Sequence, residues 1–178
     1  GRVVLLEESA HVGGIVAGGL TNTDIRKHGA VGGLYGEFKR RIVDHYVAKH
    51  GADSPEVRLC RNGNMFSPRV AEGVFREMVA GEQRIELLER HRAVAASVVD
   101  QQGVERPATR GRRIDGPNPG ELGPLTRLVG ITAVDLAAPS STVDLRARAF
   151  VDCTYEGDLA ALAGVPYRVG RESRAAFR

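Results

Sequence analysis

Tryptophan is absent from this 178-residue sequence, and aromatic residues make up only 5% of it. A chain so poor in aromatic side chains lacks the stacking surface with which proteins bind single-stranded nucleic acid or carbohydrate. The net charge is only +3, and this excess comes from scattered arginines, not from a run of lysine and arginine. We therefore predict a solvated basic surface and no nucleic-acid partner.

Potential metal ligands are scarce. Cys60 and Cys153 lie far apart, without CxxC or other ligand spacing, and nothing in their spacing argues for a disulfide. The five histidines show no ligand spacing either, so we predict no metal site. Cys153 follows an apolar stretch, which predicts a buried free thiol. His28 and Asp24 are candidate acids or bases, although a surface position is the preferred interpretation of both.

Long apolar runs are also missing, and none approaches the roughly 18–20 residues that a membrane-spanning helix needs. The sequence is 42% hydrophobic and 26% charged, which is usual for a soluble globular protein. The length suits one domain, so we predict a single domain over residues 1–178. We favour a cytoplasmic location, expect no membrane partner and leave the oligomeric state open.

The first residues combine an apolar run with two acids. Val3 to Leu6 are all apolar, and Glu7 and Glu8 follow them. A run of this length bounded by charge is typical of a strand buried on both faces of a parallel sheet. A glycine-rich tract over residues 13–36 comes next and suits neither helix nor strand. It predicts backbone that closely approaches another group, with a flexible loop as the alternative.

Apolar periodicity predicts two longer helices. The first covers residues 33–50 and is closed by Gly51. After a loop around Pro55 and a turn at Asn62–Gly63, the second starts with Ser67 as its N-cap and ends at Gly81.

Strand patterns dominate the second half. We predict one or two strands over residues 85–100, a strand over 125–136, and a strand from 142 that becomes fully apolar at 149–151. A short helix follows over 156–163, closed by Gly164. Residues 101–124 are predicted to form an exposed loop because of their prolines, Pro107, Pro117, Pro119 and Pro124.

The acid at the end of the first strand has a specific interpretation. In dinucleotide-binding sheets, an acidic residue at the end of the second strand accepts hydrogen bonds from the adenosine ribose, about 20 residues after the glycine-rich phosphate turn. A carboxylate can accept both ribose hydroxyls at once. We therefore assign this role to Glu7, with Glu8 as the alternative. On this interpretation, the first strand, the GxGxxG turn and the first helix are expected before residue 1.

Three stretches are similar to segments of known flavoproteins: VVLLEESAHVGGIVAGGLTNTDI, IELLERHRAV and AFVDCTYEGDLAALAGVPYRVGRE. The first resembles the segment after the first helix in FAD-dependent oxidoreductases of the glutathione-reductase-like superfamily, and the last resembles their later IDATGDGDLAALAGV segment. The middle stretch resembles the strand whose backbone meets the adenine. The resemblance implies an α/β fold: a partial Rossmann-like FAD/NAD(P)-binding domain with inserted helices and an antiparallel β insertion.

The resemblance also implies which residues contact the FAD cofactor. Gly13 and Gly14 would let the loop pass close to FAD, and the flavin side would be lined by Gly18, Gly19, Thr21, Asn22 and Thr23. Arg92 and Ala93 would contact the adenine through their main chain. Thr154 would lie near the pyrophosphate or the ribityl chain.

The implied activity is that of an FAD-dependent oxidoreductase, with FAD accepting a hydride or electrons from an organic small molecule. One alternative is a non-catalytic α/β domain that binds a nucleotide or a partner. Another is NAD(P) in place of FAD, since an acid at the strand end serves either cofactor.

Overall fold

The computed structural model describes residues 1–25, 27, 30–114 and 126–170. The chain divides into two compact units, Gly1–Arg90 and His91–Arg178. That residues 1–178 make up a single FAD-binding domain stays a prediction. His28, Pro117, Pro119 and Pro124 lie outside the described residues.

The first unit combines a parallel strand pair with helices. Its elements are β1 (Val3–Glu7), α1 (Gly14–Gly18), α2 (Gly33–His50), α3 (Pro55–Leu59), α4 (Pro68–Ala80) and β2 (Ile85–Glu89). β1 and β2 pair in parallel, with Val3 opposite Ile85 and Glu7 opposite Glu89. Parallel strands need a long crossover connection, and here α1 to α4 lie within it.

The core of this unit lies between α2 and α4. Phe38 and Ile42 of α2 are buried together with Phe66 and with Ala71 and Val74 of α4. The ring of Phe38 stacks on Phe75 at 4.6 Å and meets Phe66 edge-on at 5.5 Å. The predicted helix over residues 33–50 is thus confirmed, and so are Ser67 as the N-cap of α4 and Gly81 as its C-cap.

Val3 and Val4 are 52% and 40% exposed, because β2 is the only strand among the described residues that pairs with β1. Two expectations about the first unit are wrong. The tract expected to exclude helix contains α1, whose N-cap Gly13 adopts a left-handed φ of +110°. The loop around Pro55 contains α3, because Ser54 accepts a hydrogen bond from the Val57 amide and proline fits the first helical turn.

The second unit is built on an antiparallel sheet. Its strands are β3 (His91–Val99), β4 (Glu105–Pro107), β5 (Arg127–Asp135) and β6 (Thr142–Arg146), in the order β4-β3-β5-β6, and α5 (Asp158–Leu162) follows. Buried apolar side chains alternate along the two central strands: Ala96 and Val98 on β3, and Val129, Ile131 and Ala133 on β5. The mixed α/β fold with an antiparallel insertion is confirmed.

Three expectations about the second unit are also wrong. Pro107 ends β4 within the predicted loop, and the position of β4 at the sheet edge explains why a proline is tolerated. The apolar strand expected at 149–151 does not form, and Val151 is 80% exposed. Cys153 is therefore exposed and not buried, whereas Cys60 is buried; both are free thiols.

Candidate functional site

The parallel register of β1 and β2 brings two acids to the same end of the sheet. Glu7 and Glu89 are the last residues of their strands and lie opposite each other. Open α/β sheets bind ligands at the carboxyl ends of their strands. We therefore take Glu7, Ser9, Glu89 and Arg76, which contacts Glu89 from α4, as the candidate site and call it the carboxyl edge.

Ser9 holds one oxygen of the Glu7 carboxylate. The Ser9 amide donates a hydrogen bond to Glu7 Oε1 at 2.8 Å, and the Ser9 hydroxyl donates another at 2.7 Å. The same hydroxyl accepts a hydrogen bond from the His11 amide at 3.0 Å. Because a carboxylate oxygen has two lone pairs, Ser9 satisfies Oε1. No hydrogen bond from the described residues reaches Glu7 Oε2.

Glu89 forms an ion pair with Arg76 of α4. Arg76 Nη2 lies 2.6 Å from Glu89 Oε1. The hydrogen bond to Glu89 raises the pKa of Arg76, against the opposing effect of burial, so Arg76 stays a cation. In the part of the chain that the structure describes, Glu7 has no such ion pair. The two acids of the carboxyl edge therefore differ in their partners. The charge of Glu89 is compensated by Arg76, whereas Glu7 has no cationic partner among the described residues.

A third acid completes the surroundings of Arg76. Glu72 lies one turn before Arg76 on α4 and accepts a hydrogen bond from Arg76 Nε at 3.2 Å. His11 Nδ1 lies 3.1 Å from Glu72 Oε2. The hydrogen bond with His11, helped by Arg76, outweighs desolvation and holds the pKa of Glu72 below its usual value. Glu72 is thus an ionised partner for both side chains at neutral pH.

The glycines after β1 have separate structural roles. A Cβ atom at Gly13 would overlap the Phe75 ring of α4, so glycine is needed there for packing within the protein. Gly14 and Gly19 have positive φ values of +52° and +145°. At Gly18 and Gly19, an added Cβ would have no neighbour within 4 Å among the described atoms. Packing against Phe75 thus explains why residue 13 is glycine. Contact of these glycines with a cofactor stays a prediction.

The polar residues predicted at the flavin side pair with a neighbouring segment. Asn22 forms an antiparallel bridge with Met65, and the Thr21 carbonyl accepts a hydrogen bond from the Phe66 amide at 3.0 Å. The Thr23 amide donates to the Asn64 carbonyl at 3.0 Å. The hydroxyl of Tyr35, on α2, donates to Thr23 Oγ1 at 2.6 Å. These contacts hold residues 21–23 in place, and their role toward a flavin stays a prediction.

A comparison with protein-family models matches residues 1–178 to the family described as FAD dependent oxidoreductase. The chain belongs to this family. No curated protein and no solved structure matches the sequence. The resemblance to FAD-dependent oxidoreductases is therefore confirmed and FAD is the cofactor, whereas the glutathione-reductase-like grouping within these enzymes stays a prediction.

Within the described residues of this family member, no three histidine, cysteine, aspartate or glutamate side chains are grouped so that they could hold a metal ion. The helices in the same part of the chain include none with both the length and the apolar character needed to cross a membrane.

The remaining predicted FAD contacts belong to the second unit. Arg92 and Ala93 lie on β3, opposite Val134 and Ala133 of β5. The pairing shifts register between Ala93 and Ala95, as in a β-bulge, and leaves Val94 43% exposed. The irregularity immediately follows the two residues predicted to contact the adenine, and that contact stays a prediction.

Thr154 lies in a loop that caps α5. Its hydroxyl donates to Asp152 Oδ1 at 2.7 Å and accepts a hydrogen bond from the Asp158 amide at 2.8 Å. Asp152 Oδ2 accepts a further hydrogen bond from the Ala160 amide at 2.8 Å. Sequence reasoning missed Asp152. The signal was an Asp-x-Thr just before an Ala/Leu helix, since both side chains can satisfy free amides at a helix start.

We expect Asp152→Asn to lower the free energy of unfolding by about 1 kcal/mol at pH 7, a capping effect reduced by solvent exposure. Burial raises the pKa of Asp152, but hydrogen bonds from the Ala160 amide and Thr154 outweigh it, so the folded pKa lies below the unfolded one. This stabilisation is present above the unfolded pKa, about 3.9, and is lost as pH falls through the lower folded value.

Urea unfolding at a series of pH values checks this expectation. The difference between wild type and Asp152→Asn is expected to be constant near neutral pH and to shrink only below about pH 4. Asp44→Asn is the control, because Asp44 makes an exposed pair with Arg40, a type that contributes little. An equal loss in both variants would contradict a capping role for Asp152.

Proposed function

We propose that this protein is an oxidoreductase of an organic small molecule and that Glu7 binds the adenosine ribose of its FAD. The family match over residues 1–178 supports the general activity. The assignment of Glu7 is carried by the contrast at the carboxyl edge. Glu89 is paired with Arg76 at 2.6 Å, whereas Glu7 Oε2 accepts no hydrogen bond from the described residues.

The chemistry of Glu7 fits the ribose. The two lone pairs of Oε2 match the two ribose hydroxyls, and hydrogen bonds to an ionised acceptor are stronger than neutral ones. Ser9 already fixes the other oxygen through two bonds, so the carboxylate is oriented before any ligand arrives. Orientation in advance lowers the entropic cost of binding.

The other proposed contacts rest on the sequence resemblance. Gly13 and Gly14 would let the loop pass close to FAD, and Gly18, Gly19 and residues 21–23 would line the flavin side. Arg92 and Ala93 would meet the adenine, and Thr154 the pyrophosphate or ribityl chain. When bound, FAD supplies the redox chemistry by accepting a hydride or electrons from the substrate, while the protein supplies binding and orientation.

Cofactor analysis of the purified full-length protein tests the proposal. We expect a yellow protein with flavin absorption, and FAD as the species released on denaturation and identified by chromatography. Anaerobic addition of oxidisable small molecules, such as amines, alcohols and hydroxy acids, is expected to bleach the flavin bands with at least one class. Release of NAD(P) or FMN, or failure of added FAD to bind the cofactor-free protein, would contradict the cofactor assignment. Bound FAD that no reductant of the panel bleaches, but dithionite does, would favour a non-catalytic nucleotide-binding role.

A further inference from the structure

Arg76 joins three parts of the first unit that are far apart in sequence. Its Nη2 has two hydrogens and donates hydrogen bonds to Glu89 Oε1 at 2.6 Å and to the Ala10 carbonyl at 2.7 Å. Its Nε serves Glu72 at 3.2 Å on the same helix. One guanidinium thus connects α4, the end of β2 and the loop that follows β1.

The hydrogen bond from Arg76 to the Ala10 carbonyl affects the orientation of Glu7 through Ser9, the residue before Ala10. The loop is held on both sides of the peptide between these residues: the Arg90 amide donates to the Ser9 carbonyl at 3.0 Å, and Arg76 donates to the Ala10 carbonyl. Ser9 in turn donates both hydrogen bonds to Glu7 Oε1. Release of Ala10 therefore loosens the residue that aims the carboxylate.

The charge of Arg76 acts on the same site. Glu7 and Glu89 are directly paired at the ends of adjacent parallel strands. Two neighbouring carboxylates disfavour each other's ionised form unless a cation is close. Arg76 compensates the charge of Glu89 and so weakens the repulsion between Glu89 and the Glu7 carboxylate.

We propose that Arg76 is a positioning residue for the adenosine-ribose contact: it holds the Ser9–Ala10 segment and compensates the charge of Glu89, so that the Glu7 carboxylate is correctly oriented toward the ribose. This inference rests on the proposed role of Glu7. It differs from a purely structural role, because the effect of Arg76 on FAD binding must then pass through Glu7.

A double-mutant cycle in the full-length protein tests this. The dissociation constant of FAD is measured by flavin fluorescence for wild type, Arg76→Gln, Glu7→Ala and the double variant. We expect Arg76→Gln to weaken FAD binding about tenfold, but by less than twofold when Glu7 is already alanine. Arg76→Lys keeps the positive charge but lacks the planar guanidinium that donates to both Glu89 and Ala10. We therefore expect this variant to weaken FAD binding about threefold.

Arg41→Gln is the matched control. Arg41 also lies on a helix, is 33% exposed against 39% for Arg76, and pairs with Glu37 at 2.6 Å. We expect it to lower thermal stability to a similar extent while changing FAD affinity less than twofold. An FAD analogue lacking the adenosine 2′-hydroxyl is expected to lose most of its sensitivity to Arg76→Gln.

A measurement without cofactor gives an independent readout. Hydrogen exchange of the Ser9 and His11 amides is expected to be faster in Arg76→Gln than in wild type or Arg41→Gln, because the loop has lost its contact at Ala10. Unchanged exchange at these amides would contradict the positioning role.

The outcomes separate the two proposals. If Glu7→Ala binds FAD as wild type does, the ribose assignment fails and the inference about Arg76 falls with it. If Glu7→Ala weakens binding but Arg76→Gln causes the same loss with and without Glu7, only the positioning role is overturned. If Arg76→Gln does not fold, the double-mutant cycle is repeated with Arg76→Lys and is judged by the same criteria.

Discussion

Replacement of Gly63 by alanine is expected to lower the free energy of unfolding of the first unit by about 2–5 kcal/mol. Gly63 has a φ of +77° and is the third of three consecutive residues with positive φ, after Arg61 and Asn62. An added Cβ would overlap the Lys39 carbonyl of α2 and lie only 2.7 Å from Lys39 Cα. Because both atoms belong to helix backbone, neither can move without distorting α2, so conformational strain adds to the steric clash.

Gly33→Ala separates the two costs. Gly33 also has a positive φ, +58°, but an added Cβ there meets nothing within 4 Å among the described atoms. The control should therefore carry only the conformational cost, about 1–2 kcal/mol. Urea unfolding followed by circular dichroism measures both variants. Equal destabilisation of the two would show that the contact of Gly63 with α2 is unimportant.

The two longer helices of the first unit, α2 and α4, are predictable because their signals are local. Residues 33–50 repeat apolar side chains at helical spacing and are followed by Gly51, and α2 spans the same residues. Ser67 and Pro68 mark the start of α4 in the same way. The apolar run at Val3 and Val4 indicates a strand, and the exposure of these residues follows because β2 is the only described strand that pairs with β1.

Competing hydrogen bonds explain the error at the expected strand 149–151. Asp152 and Thr154 direct their side chains to backbone amides and so favour a capping loop over a sheet ladder. The apolar residues before them, and Cys153 between them, then have no strand to bury them. The periodicity of the apolar residues gives no sign of this competition for hydrogen bonds.

The candidate site was predictable only in part. A strand-end acid is visible in the sequence, and Glu7 is indeed the last residue of β1. Its pairing with Glu89 depends on the register of two strands nearly the whole unit apart. The contact of Arg76 with Ala10 spans 66 positions of sequence. Long-range register and ion pairing decide which acid is open to a ligand, and neither leaves a local pattern.

Glu7→Ala is expected to weaken FAD binding by about 1–3 kcal/mol, which corresponds to roughly 5- to 150-fold in the dissociation constant. The variant removes Oε2, the acceptor without a hydrogen bond from the described residues, and so leaves the ribose hydroxyls without a charged partner in the bound state. Titration of the cofactor-free full-length protein with FAD measures this loss. FMN has no adenosine ribose, so its affinity should not change.

Two further variants show whether the loss belongs to this carboxylate. Glu8→Ala removes the neighbouring acid beyond the end of β1 and is expected to change FAD affinity much less. Ser9→Ala keeps the charge of Glu7 but removes one of the two hydrogen bonds that orient it, so an intermediate loss is expected. A larger loss in Glu8→Ala than in Glu7→Ala would transfer the ribose role to Glu8. Equal affinities for wild type and Glu7→Ala would remove that role from Glu7, since a charged acceptor facing the ribose cannot be lost without a change in binding.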